Sequence, residues 1–242
     1  VYLYHLESPA LVDPAGPISI WVLRLDPKRV DLQAALANDE IMGVETVAGI
    51  AERHKPIAAI NAGFFLPNGD PAGVMTIDGR LVSDTRRPRG AVGISRDKDG
   101  VKLAFARLRA TASLVLQNAT PATKGGQATV AVPIDGIDTT RLRGQLMLFT
   151  PSYHADTDTA KGGLEWVIDR RGRMVSGPHP GGKTKIPRGG FVLSFGGEVA
   201  PEPLRLLGRN TRVRLDVSYD PVEGEPKSWL LAQDIVGGAG LL

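Results

Sequence analysis

The chain has 242 residues, 42% of them hydrophobic, 23% charged and 5% aromatic, which is enough for one sizeable core or two small ones and excludes a disordered protein. A formal charge of +3, with no basic block interleaved with aromatics, leaves no footprint for nucleic acid, so no nucleic-acid partner is expected. The absence of cysteine excludes disulfides and thiolate metal sites, and no apolar run approaches the roughly 18 residues of a membrane-spanning helix.

The 29 Gly and 18 Pro imply many turns, and therefore many short strands. In chain order, Ile18 to Leu25 alternates and is β-branched, and reads as a strand. Val30 to Ala37 is a weaker candidate for a second. Val44, Val47, Ile50 and Ala51 lie at helical spacing, which predicts one helix of about three turns over Val44 to His54, closed by Pro56. Ile57 to Ile60 reads as a buried strand that delivers Asn61 at its end.

Turns dominate from there. Asp78-Gly79 separates two apolar runs and predicts a hairpin. Asp99-Gly100 predicts another, and Arg171-Gly172 a third. Phe191 to Phe195 and Val213 to Val217 are further strands. A polar, glycine-bearing stretch near Thr120 to Thr129 marks a soft boundary between segments 1–120 and 121–242, after which the pattern restarts at Val130. The expected class is α+β and β-rich, with antiparallel hairpins, a mixed sheet and few helices.

Two stretches carry residue types suited to chemistry. In Ala59-Ile60-Asn61-Ala62-Gly63-Phe64-Phe65, Asn61 offers an amide, Gly63 permits a turn or a close approach, and Phe64 and Phe65 can wall a pocket or stack on a sugar. Equally, Asn61 can cap a turn and the two Phe can fill a core. In Asp84-Thr85-Arg86-Arg87-Pro88-Arg89, three arginines form a compact cationic edge that suits phosphate, or else a solvated loop. Glu45 falls in the first turn of the expected helix, where the helix dipole gives a carboxylate a structural role as well. Asp70 and Asp78 sit in turns, where Asp is common for backbone reasons. No His pair has metal-ligand spacing, so neither metal nor cofactor is expected.

Taken together these stretches resemble the phosphodiester glycosidase family, the group that contains the lysosomal "uncovering enzyme". Val44-Glu45-Thr46 is similar to the family's Glu-Thr before the helix. Ala58 to Phe65 resembles its Ala-x-Asn-Gly-Gly-Phe-Phe hallmark, with Ala62 in place of the first Gly. Gly73 to Val82 and Arg89 to Ile94 resemble the strands that follow, and Leu146 to Tyr153, Ile186 to Ser194 and Asp234 to Leu242 match later segments. The family's Pro-Arg-Thr and Asp-Gly-Gly-Gly-Ser segments do not occur, so the chain is expected to be cut short before them, or else a second polypeptide segment to complete the domain.

The resemblance implies a secreted or cell-envelope hydrolase that cleaves a sugar, N-acetylglucosamine in particular, from a phosphodiester. Arg89 and Glu45 would be catalytic, Arg89 neutralising the departing phosphodiester and Glu45 serving as the carboxylate. Asn61, Gly63, Phe64, Phe65 and Arg86 would bind the substrate. The competing expectations are a carbohydrate- or cell-wall-binding module without activity, and a phosphodiesterase that cuts P–O instead of C–O.

Overall fold

A computed structural model describes residues 1–117, 129–222 and 229–238, without the side chains of residues 85 and 86. The β-rich, antiparallel expectation holds. Three sheets dominate, beside the short helices α1 (Val47–His54) and α2 (Glu202–Arg205), the latter a single turn.

The hairpins fall where their turn residues require. Strands β3 (Met75–Ile77) and β4 (Arg80–Ser83) meet at Asp78-Gly79, both of which take positive φ (49° and 72°), as a tight two-residue turn demands. Strands β5 (Thr85–Asp97) and β6 (Gly100–Gln117) form the longest hairpin. Along β6, Leu108, Ala110, Ala112, Leu114 and Leu116 are buried, while Arg107 and Arg109 between them face solvent. Strand β6 also pairs with β7 (Thr129–Pro133) and β13 (Arg212–Pro221). Strand β14 (Asp234–Gly237) inserts between β5 and β3, giving the order β13-β6-β5-β14-β3-β4.

The second sheet runs β11 (Met174–Pro180), β10 (Leu164–Ile168), β12 (Phe191–Phe195), β9 (Leu146–Phe149), β8 (Gly136–Ile137). Its β8–β9 pair is parallel, so it is the mixed sheet that was expected. The main core takes Leu108, Leu114 and Leu116 from one side of the 118–128 stretch and Ile137, Trp166 and Leu193 from the other, so both segments close over one interior. The third sheet is a ribbon of β1 (Tyr2–Glu7) and β2 (Ser19–Arg24).

Three expectations are corrected. The helix begins at Val47, capped by the Thr46 hydroxyl, which accepts the Gly49 N–H at 3.1 Å; Glu45 therefore precedes the helix. Ile57 to Ile60 forms no strand and is exposed, because among the described residues nothing pairs or covers it. Val30 to Leu36 lies in no sheet, and Ala37 opens a 3-10 turn (Ala37–Asp39). Side chains hold that segment in place: Ala34 N–H donates to Asp234 Oδ2 at 3.1 Å, and Arg96 donates to the Leu32 carbonyl and pairs with Asp31.

Candidate active site

The residues after Phe65 build a small hairpin. Ala72 N–H donates to the Phe64 carbonyl, and Leu66 N–H to the Asp70 carbonyl, each at 2.8 Å. At its tip the Asn68 side chain accepts the Asp70 N–H (3.2 Å), and Gly43 N–H donates to the Asn68 carbonyl (2.7 Å). Gly69 has φ +98°, and a Cβ there would meet the Gly43 carbonyl oxygen at 2.0 Å, so only glycine fits. At the base, Ser83 Oγ donates to the Pro71 carbonyl at 3.2 Å. These contacts fix Asp70 over the start of β8 and the end of β4.

There Asp70 lines an open cleft of about 260 Å³ together with Ser83, Asp84, Arg89, Ile137 and Thr139. Thr139 Oγ1 donates to Asp70 Oδ2 at 2.6 Å, and Ile137 N–H donates to Asp84 Oδ1 at 3.3 Å. Arg89 enters from β5 just past a register shift between Thr85 and Arg89, the kind of bulge that re-aims a side chain. The floor is acidic. Burial pushes the Asp70 carboxyl above the usual carboxylate range, against the Thr139 hydrogen bond, and the Asp84 charge adds to the rise. Below it, burial raises Asp138 well above that range, although Thr150 donates both its N–H (2.6 Å) and its hydroxyl (2.5 Å) to that carboxyl. The cleft therefore combines one guanidinium with a carboxyl whose pKa burial raises, a pairing that suits anion binding and proton transfer.

The fold distributes the residues singled out in the sequence unevenly. Arg89 is in the cleft. Glu45 is not among its lining residues. It accepts Arg53 Nη2 at 2.7 Å, Arg53 Nε at 3.2 Å and the Asn38 N–H at 2.8 Å, and these bonds, the Arg53 pair first, hold its carboxyl below the usual range. That cluster, with Asp39 and His54, ties the 36–45 loop to α1.

Gly63 is needed for a close approach, but to protein: a Cβ there would meet the Gly237 carbonyl oxygen at 1.9 Å. Phe64 and Phe65 are 63% and 57% exposed, neither in the core nor among the cleft's lining residues. Asn61 is exposed too. The Arg86 side chain lies outside the described residues.

Sequence reasoning passed over Asp70 and Asp84 as site residues and did not mention Asp138 or Thr139. An Asp beside Pro in a turn has a backbone explanation ready. The Thr139–Asp70 bond spans 69 residues, beyond any local pattern.

No protein-family model and no curated protein matches the chain. Its fold is similar to that of a hypothetical protein from Synechocystis (TM-score 0.71, 18% identity), covering 99% of this chain and 42% of that one. It is equally similar to a protein from Burkholderia pseudomallei K96243 provisionally assigned as exported (TM-score 0.71, 22% identity), covering 94% of this chain and 50% of that one. The chain thus spans half or less of the length of the structures whose fold it shares.

Proposed function

We propose that this protein is a hydrolase that cleaves the bond between an anomeric carbon and a phosphodiester oxygen, acting outside the cytoplasm on a glycoconjugate or cell-envelope polymer. The observation that carries this reading is the convergence of Arg89, Asp70 and Asp84 on one cleft. N-acetylglucosamine is the sugar suggested by the resemblance of the Asn61 to Phe65 stretch.

A phosphodiester leaves as a weak base and needs little help from a general acid. Its negative charge needs a cation, and Arg89, which lines the cleft, supplies one as the C–O bond breaks. The positive charge developing on the sugar needs a carboxylate, and a water must lose a proton as it attacks the anomeric carbon. Asp84 and Asp70 are the carboxyls beside Arg89, and Asp70, with its raised pKa, is the better proton acceptor. They replace Glu45 in that part of the scheme, since Arg53 and Asn38 already occupy its oxygens. The Leu66-to-Ala72 hairpin, reached directly from Asn61 and Phe64, forms one wall of the cleft.

Hydrolysis of a sugar 1-phosphodiester in ¹⁸O water tests the reading. The heavy oxygen should appear on the sugar, and Arg89→Ala should lower turnover by roughly 10²–10³-fold, as for the loss of one charge-stabilising donor, with an unchanged melting temperature. Label on the phosphate would mean P–O cleavage. Binding without turnover would make the chain a carbohydrate-binding module. Parallel losses of activity and melting temperature would make Arg89 structural.

A further inference from the structure

Strand β6 changes partner part-way along one edge. β5 starts against it at the Thr85↔Ala110 pair, and β7 ends against it at Pro133↔Ser113, with the Ile134 N–H donating to the Ala112 carbonyl at 3.4 Å. Thr111 lies between the two strand ends. At this junction the surface opens into a groove of about 660 Å³, bounded on the other side by β13. That volume falls within the roughly 300–1,000 Å³ of small-molecule sites, whereas the Arg89 cleft, at about 260 Å³, falls short of it.

The lining follows from strand alternation. On β6, Ala110 and Ala112 are buried in the core, so Arg109, Thr111 and Ser113 point the other way. The register sets them opposite Asp220, Ser218 and Asp216 of β13. Charges on this face come paired: Arg109 lies 3.6 Å from Asp220, and Arg214 Nη1 donates to Asp216 Oδ1 at 3.3 Å. Ser218 Oγ donates to Asp220 Oδ1 at 3.2 Å and keeps its lone pairs for a ligand. The Thr111 and Ser113 side chains are half-buried and have no hydrogen-bond partner among the described residues. Hydroxyls left unused in mid-strand, in a recess, are not explained by the sheet they sit on.

We propose that this groove is a binding site for a neutral oligosaccharide, whose hydroxyls pair with Thr111, Ser113, Ser218 and Asp216. Other ligand classes lack what they need there. An anion needs an uncommitted cation, and Arg109 is paired with Asp220. A peptide that adds by backbone pairing needs a free strand edge, and here β6 is paired with β13 on one side and with β5 and β7 on the other. A lipid or aromatic ring needs an apolar wall, and hydroxyls and carboxylates take that place. A sugar chain carries a donor and acceptor in every hydroxyl, which this lining matches without net charge. The 133–139 stretch joins the groove to the Arg89 cleft, giving Asp135 to one and Ile137 and Thr139 to the other. Binding in the groove uses no residue of that cleft and is independent of the reaction assigned above.

Neutral tetrasaccharides of N-acetylglucosamine, glucose and galactose, titrated into the ¹⁵N-labelled 242-residue chain and followed by NMR, test the proposal. At least one should shift the amides of 109–113, 134–135 and 216–218. Thr111→Val with Ser113→Ala, which removes both hydroxyls and little volume, should weaken that ligand about tenfold at an unchanged melting temperature. The shift map of the parent needs no variant and decides the matter if the double variant loses stability. Arg89→Ala should bind the tetrasaccharide as the parent does. A failed ¹⁸O experiment therefore leaves the groove untouched, and a silent groove leaves the hydrolase reading untouched. No shift with any of the three sugars, shifts confined to the Arg89 cleft, an unchanged affinity in the stable double variant, or tighter binding of a sulfated tetrasaccharide would each overturn the proposal.

Discussion

Trp166 and Leu193, on β10 and β12, are sealed in the core, whereas Trp21 and Ile60 are just as apolar and stand open to solvent. The difference is not in local pattern. Phe191 to Phe195 and Ile57 to Ile60 both read as strands that belong inside a protein. β12 finds β10 on one edge and β9 on the other, with the main core against it. The 57–60 stretch finds neither edge nor cover among the described residues. Burial is thus a property of the pair, and a strand-like sequence states only half of it.

The same contrast holds for ion pairs, and there it predicts the largest effect. Glu165 is buried and accepts Ser194 Oγ at 2.7 Å and Thr159 Oγ1 at 2.9 Å on one oxygen, and Thr157 Oγ1 at 3.3 Å on the other. Arg141 lies 3.7 Å from the same carboxylate and donates to Ser194 Oγ at 2.7 Å. Glu165→Ala leaves the buried Arg141 guanidinium without its carboxylate and the Ser194 hydroxyl without its acceptor, while Thr157 and Thr159 keep only the Gly182 carbonyl, and it should cost about 3–5 kcal/mol in urea unfolding. Glu45→Ala, in the more exposed cluster on α1, should move the same midpoint far less. Similar shifts for the two would break the comparison.

Gly63 comes next. It is the tightest point between the exposed stretch and the packed body, with the Gly237 carbonyl oxygen 1.9 Å from where a Cβ would sit. Gly63→Ala must push two backbones apart and should destabilise by roughly 1–3 kcal/mol. Asn61→Ala, two residues earlier and exposed, should leave stability nearly unchanged. A harmless Gly63→Ala would mean that the 57–65 stretch is not seated on β14.

What the sequence made legible follows the same division. Asp78-Gly79 announced its hairpin because a two-residue turn needs positive φ at both positions, a demand met within the turn itself. Gly63 was legible as a close approach, but its neighbour was not, because Gly237 is far along the chain. Arg89 was legible as a cation before a strand. The acidic floor beneath it was not, because Asp70, Asp84 and Asp138 come from three separate turns and strand ends that only the packing of β4 against β8 brings together. The expected Ile57–Ile60 strand failed at the same step: its apolar run read as a buried strand, and among the described residues it has no partner.

The acidic floor also carries a pH signature that the exposed carboxylates lack. Burial raises the Asp138 carboxyl in the folded protein above its ordinary value of 3.8. The folded state therefore binds its proton more tightly than the unfolded chain does. The associated stability is fully present below pH 3.8 and is lost as pH rises through the folded pKa. Asp138→Asn removes that titration, so urea midpoints of the variant should fall less steeply across this range than those of the parent. Asp39 and Asp97, whose carboxyls are lowered by Arg53 and Lys102, have the opposite sign: their contribution is present above the ordinary value and fades as pH falls through the folded pKa. Equal slopes for Asp138→Asn and the parent would show that the buried carboxyl titrates as an ordinary one.

The smallest effect sharpens the comparison most. In the purified 242-residue chain, Tyr4→Ser and Ile60→Ser remove apolar side chains that already sit in water, so each should shift unfolding by no more than about 0.5 kcal/mol. A core residue of similar size behaves otherwise: Leu193→Ala should cost about 2–5 kcal/mol. A large loss at Tyr4 or Ile60 in the isolated chain would show that these side chains are already packed there, against this chain itself or a second copy of it. The division between a sealed body and a bare flank would then disappear.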